Sequence, residues 1–104
     1  MSVDVLKQEF VPKYLASGEQ KFYRFLLVYG LNKLIAFERG VYKGEMPNLE
    51  FLEFHDRFIV LYRREGEEIY LKVARLFRKA ANKLYRVMLK KKMTDINPKF
   101  LNLV

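Results

Sequence analysis

The sequence predicts an all-α domain, a small four-helix bundle in up-down order whose fourth helix, about residues 66–92, is the longest. Two observations carry this reading. Apolar side chains recur with a period near 3.6 residues through most of the chain. The breakers fall in short stretches at Ser17-Gly18, Gly40–Pro47 and Arg63–Glu67, and short links favour antiparallel neighbours.

Ser2 or Asp4 is placed to cap a first helix, with Val5, Phe10, Tyr14 and Leu15 as its apolar contacts. Pro12 removes a backbone donor and disfavours helix at Val11, so the sequence predicts a kink or two short pieces. Ser17-Gly18-Glu19-Gln20 reads as a capping box opening a second helix, roughly Gly18 to Arg39. Phe22, Phe25, Leu26, Tyr29, Leu34 and Phe37 form one face of it, and Leu27, Leu31 and Ile35 form another. A helix apolar nearly all round is either central or meets another subunit. Gly30 in its middle suits close helix packing.

Gly40 fits a helix stop, and GVYKGEMP over residues 40–47 is the clearest loop. Pro47 or Asn48 starts a third helix, in which Leu49, Leu52, Ile59 and Tyr62 line one ridge and Phe51, Phe54, Phe58 and Leu61 its neighbour. A tight turn around Gly66 then leads to the fourth helix. A β-hairpin built on FIVLY and IYLKV is excluded because the helical period runs unbroken through IYLKV. One continuous helix from Leu49 to Lys92 stays open, since a single glycine is a mild breaker.

From Ile69 to Lys92 the pattern is the longest in the chain. Val73, Leu76, Phe77, Ala80, Ala81, Leu84, Val87 and Met88 fall on one side of a helical cylinder with Ile69 and Tyr70. Lys72, Arg75, Lys79, Lys83, Arg86 and Lys90 fall on the other, at spacings of three and four, and so form one ridge. Tyr70, Phe77 and Tyr85 alternate with these cations in sequence but belong to the core side. The 93–104 tail is read as irregular, with Phe100, Leu101, Leu103 and Val104 packing back onto the bundle.

Charge is distributed unevenly. Residues 1–71 hold 10 basic and 11 acidic side chains, whereas residues 72–104 hold 10 basic and one acidic, so the net +8 lies wholly in the last third. A chain of 104 residues is read as one domain over 1–104, able to bury about 65% of its unfolded surface. It has no cysteine, so neither disulfides nor thiolate metal sites are available. The start of the chain lacks the pattern of a secretory signal, and the longest apolar run, Phe25 to Phe37, is too short to span a bilayer. A cytoplasmic protein is the expectation.

Glu53, His55 and Asp56 are close in sequence, but Glu53 and His55 point about 200° apart on a helix, which does not suit a shared metal. Glu53 instead has Arg57 at i+4. The two serines sit at a terminus and a cap, and the glycines form no phosphate loop. The sequence therefore predicts no enzyme and no cofactor. It predicts a basic binding or assembly subunit whose last helix offers Lys72, Arg75, Lys79, Lys83, Arg86 and Lys90 to the backbone of DNA or RNA. The alternative is a protein-interaction module or homo-oligomer using Leu27, Leu31 and Ile35.

Overall fold

A computed structural model describes residues 2–91 and contains four helices: α1 (Val3–Ser17), α2 (Glu19–Glu38), α3 (Pro47–Glu65) and α4 (Glu68–Lys90). The all-α four-helix class is therefore what the chain adopts, and α4 is the longest member at 23 residues. The 93–104 tail and Lys92 lie outside the described residues.

Helices α3 and α4 are separate. Gly66 ends α3 in the left-handed region at φ 73°, and its N–H donates to the Tyr62 carbonyl. A side chain there would be strained, which is why this one glycine stops a helix that propensity alone would continue. The two helices fold back against each other and form the most extensive pair in the domain.

Phe77 joins the four helices into one core. Its ring centroid lies 5.0 Å from Phe10 of α1, 6.1 Å from Phe22 of α2, and 5.4, 5.5 and 5.8 Å from Phe51, Phe54 and Phe58 of α3. Most of these pairs are edge-to-face, the arrangement favoured by the ring quadrupole. The ridge of Phe51, Phe54, Phe58 and Leu61 is buried as its period predicts, while the parallel ridge of Leu49, Leu52, Ile59 and Tyr62 stays only half-buried or exposed.

Helix α2 runs in the same sense as α4. Phe22 meets Phe77, Gly30 faces Leu84, and Glu38 reaches Lys91 at 3.8 Å. Gly30 is needed for that approach: a Cβ at this position would sit inside contact distance of the Leu84 methyls. On its other side α2 is antiparallel to α3, held there by Tyr29 stacked on Phe51 and by Lys33 bonded to both oxygens of Glu50.

Alternating direction thus describes α2, α3 and α4. Helix α1 departs from it. Its first turn lies at the α3–α4 turn, where Lys7 pairs with Glu65 and Asp4 with Arg64, and by Phe10 it has reached Phe54 and Phe77. It covers one end of the hairpin, and α2 continues along the rest. Ser2 caps α1 by accepting from the Val5 N–H. Pro12 neither splits nor ends the helix, which runs unbroken from Val3 to Ser17. The anticipated capping box at Ser17 does not form: its hydroxyl turns back to the Lys13 carbonyl, and Gly18 occupies the N-cap of α2 with no side-chain cap. Leu6 takes the buried place expected of Val5 and Leu15, both of which are exposed.

Candidate nucleic-acid interface

The surplus positive charge of the described chain lies mainly on α4. A helix of high apolar content on one side must turn its other side to water, and here that other side is cationic. Val73, Leu76, Phe77, Ala80, Ala81, Leu84 and Met88 are buried, and Lys72, Arg75, Lys79, Lys83, Arg86 and Lys90 are all exposed. The structure brings all six candidate residues together on one face. From Lys72 to Lys90 the ridge spans about 27 Å at 1.5 Å per residue. The helix dipole adds to this arrangement, with Glu68 in the first turn and Lys90 in the last.

None of the six makes an ion pair among the described residues. Eight basic side chains off the ridge, among them Lys21, Arg24 and Arg78, are likewise without an ion pair among the described residues, so what sets the ridge apart is six cations on one face; four others are paired. Lys7 and Arg64 pair with Glu65 at 3.2 and 2.9 Å, Lys33 pairs with Glu50 at 3.1 Å, and Lys91, just past the end of the ridge, pairs with Glu38. Hydrogen bonds from Arg64 and then Lys7 hold the Glu65 carboxyl below its usual range. Within the ridge, Arg86 Nε donates to the Asn82 carbonyl and Lys79 Nζ stands 4.6 Å from the centroid of the Tyr23 ring. Unpaired surface cations keep their charge available to an outside anion.

The Lys79–Tyr23 contact marks the edge of a groove of about 610 Å³ between α2 and α4. Leu76 is buried beneath it, and Tyr23 and Leu27 are half-buried. The exposed side chains of Glu19, Gln20, Arg24 and Lys79 surround it. Tyr23 is not among the residues that the sequence pattern singles out. The aromatics interleaved with the ridge on α4 itself turn inward, with Tyr70 and Phe77 buried and Tyr85 half-buried. The aromatic beside the cations comes from the neighbouring helix, for which the spacing within α4 carries no signal.

Leu27 and Leu31, expected as a partner surface, are half-buried and pack against the core. Ile35 is 39% exposed and Val28 is 53% exposed, so the outward apolar strip of α2 is narrower than the sequence suggested and includes Val28. His55 bonds its own neighbour Asp56 at 2.9 Å, and the Glu53–Arg57 pair does not form among the described residues. No three His, Asp or Glu side chains converge on a metal position among the described residues. A second hollow of about 290 Å³ lies between α3 and α4, lined mainly by Leu49, Leu52, Ala81 and Tyr85. Among the described residues, no helix is long and apolar enough to cross a membrane. No family model, curated protein or solved structure matches this chain.

Proposed function

We propose that the chain is a non-catalytic binding module that holds the phosphates of a nucleic acid along the α4 ridge. The observation that carries this reading is six exposed cations on one helical face with no carboxylate partner among the described residues. Duplex DNA advances 3.4 Å per phosphate along each strand, so a ridge of about 27 Å faces several phosphates at once. Contacts of this kind position a protein without reading sequence. The core supports the ridge by fixing α4 on its other side through Phe77 and Leu84. The cysteine-free chain suits a reducing compartment, and the cytoplasm is the assignment that goes with this function.

The test is a binding titration with a short oligonucleotide at several salt concentrations. Six phosphate contacts give a slope of about −4 to −5 for log affinity against log salt. Reversing charge at Lys79, Lys83 and Arg86 together (each to Glu) is expected to abolish binding while helix content and unfolding midpoint stay near wild type. Binding that survives the triple reversal, or no binding by the wild type at low salt, sinks the reading.

A second reading draws on Val28 and Ile35, the exposed apolar pair on α2. Together with Leu27 and Leu31 they offer a strip on which a second copy or another protein would dock. Sedimentation of the purified chain tests it: a dimer dissociated by Val28→Lys supports this reading, and a monomer at every concentration removes self-association.

A further inference from the structure

We infer that the nucleic acid is single-stranded, and that the groove between α2 and α4 takes one of its bases beside Tyr23. This rests on the phosphate-binding reading above and adds to it the identity of the strand. The groove and the ridge share Lys79, so a phosphate held on the ridge brings the adjoining nucleotide to the mouth of the groove. The groove's volume of about 610 Å³ lies within the range of small-molecule sites, roughly 300–1,000 Å³, and admits a base.

Its chemistry suits a base more than a second phosphate. The inner part is Tyr23, Leu27 and Leu76, an aromatic ring with two apolar neighbours that match the flat faces of a heterocycle. Glu19 and Gln20 supply acceptors and an amide for the polar edge of a base, whereas the Glu19 carboxylate disfavours a phosphate at the same place. Arg24 and Lys79 remain for the backbone on either side. The Tyr23 ring already lies under a cation, and the long Lys79 side chain can move to the phosphate as a base arrives. Bases in a duplex are enclosed in their own stack and cannot enter such a groove. A base stacked on an aromatic side chain therefore favours single strands, typically about tenfold or more per base.

The experiment compares single-stranded and double-stranded oligonucleotides of equal length by fluorescence anisotropy, with the full chain and its Tyr23→Leu and Tyr23→Phe variants. The expected result is about tenfold tighter binding of the single strand by the wild type. Tyr23→Leu erases that preference and leaves duplex affinity unchanged, Tyr23→Phe retains it, and an abasic strand binds the wild type no better than duplex does. Equal affinity for both forms, or a Tyr23→Leu loss shared equally by both, overturns the base-binding inference and leaves phosphate binding standing. Failure of every nucleic acid to bind at low salt, with binding of an acidic peptide instead, overturns both.

Discussion

Lys33 and Lys79 each stand 4.6 Å from the centroid of a tyrosine ring, Tyr29 and Tyr23 respectively, on opposite flanks of α2. Their surroundings differ in one respect that decides what each does. Lys33 also donates to both oxygens of Glu50, at 3.1 and 3.2 Å, and Tyr29 donates to the same carboxylate. Lys79 makes no ion pair among the described residues, although Glu19 lines the same groove. The first site is a closed group of donors and acceptor between α2 and α3, and its charge is spent inside the fold. The second faces solvent at the head of a groove, with its charge unspent. A cation over an aromatic ring is thus a structural pin in one place and a candidate contact in the other, and the counter-charge separates them.

The largest effect is expected from removing that counter-charge. Glu50→Ala leaves the Lys33 ammonium, its side chain only 23% exposed, without its ion-pair partner. Breaking a fully buried pair costs about 3–5 kcal/mol. Here both side chains keep some solvent, so a loss of about 2 kcal/mol in unfolding free energy is expected by urea denaturation. Lys33→Met is expected to cost less, because methionine keeps the aliphatic part of the side chain packed and the Glu50 carboxylate still accepts from Tyr29. If the two variants are equally mild, the site is not the pin described above. Neither change should alter oligonucleotide affinity.

A smaller effect follows from pH. Burial pushes the Lys33 ammonium down, but its hydrogen bonds to Tyr29 and Glu50 outweigh that and hold it well above the ordinary lysine value of 10.5. A group raised in the folded state contributes its stability in full below its unfolded value and loses it as pH rises through the folded one. Burial likewise raises the Tyr29 phenol, against the pull of Lys33, so its contribution fades in the same direction. The advantage of wild type over Lys33→Met is expected to be constant from about pH 6 to about pH 9 and to shrink above about pH 10.5. Urea midpoints of both proteins across that range check it, and an advantage that grows with alkalinity contradicts the assignment.

The contrast between the two lysines also shows where sequence reasoning reaches and where it stops. The inward face of α4 and the phenylalanine ridge of α3 were legible because each is set by spacing within one element, whereas the turn at Gly66 competed with one continuous helix until its left-handed backbone decided it. The exposure of the six cations was legible too, since a helix with Phe77 and Leu84 inward must put Lys79 and Lys83 outward. The Lys33–Glu50 group was not legible: it depends on which helices become neighbours and in which register. Tyr23 was hidden for the same reason, because its role comes from α4 lying alongside α2. The serine at 17 misled for a local reason. Its hydroxyl found an acceptor in the preceding turn at Lys13, and a serine hydroxyl that bonds back to the carbonyl four residues earlier is not available for the cap that its motif suggests.

The smallest effect on stability is expected at Lys79, and it is the sharpest separation of the two sites. Lys79→Ala removes a solvated ammonium whose contact with Tyr23 is an exposed cation–π pair, worth about 0.5–1 kcal/mol at most. Alanine returns part of this through its better helix propensity. The unfolding free energy is therefore expected to stay within about 0.5 kcal/mol of wild type. Binding responds in the other sense. One phosphate contact fewer lowers the magnitude of the salt slope by about 0.7–0.9 and weakens association at low salt across all sequences alike. Lys33→Ala is expected to do the reverse, lowering stability and leaving the slope unchanged. If Lys79→Ala destabilised the fold as much as Lys33→Ala, or left the slope intact, then both lysines would be pins and the ridge would lose the member that joins it to the groove.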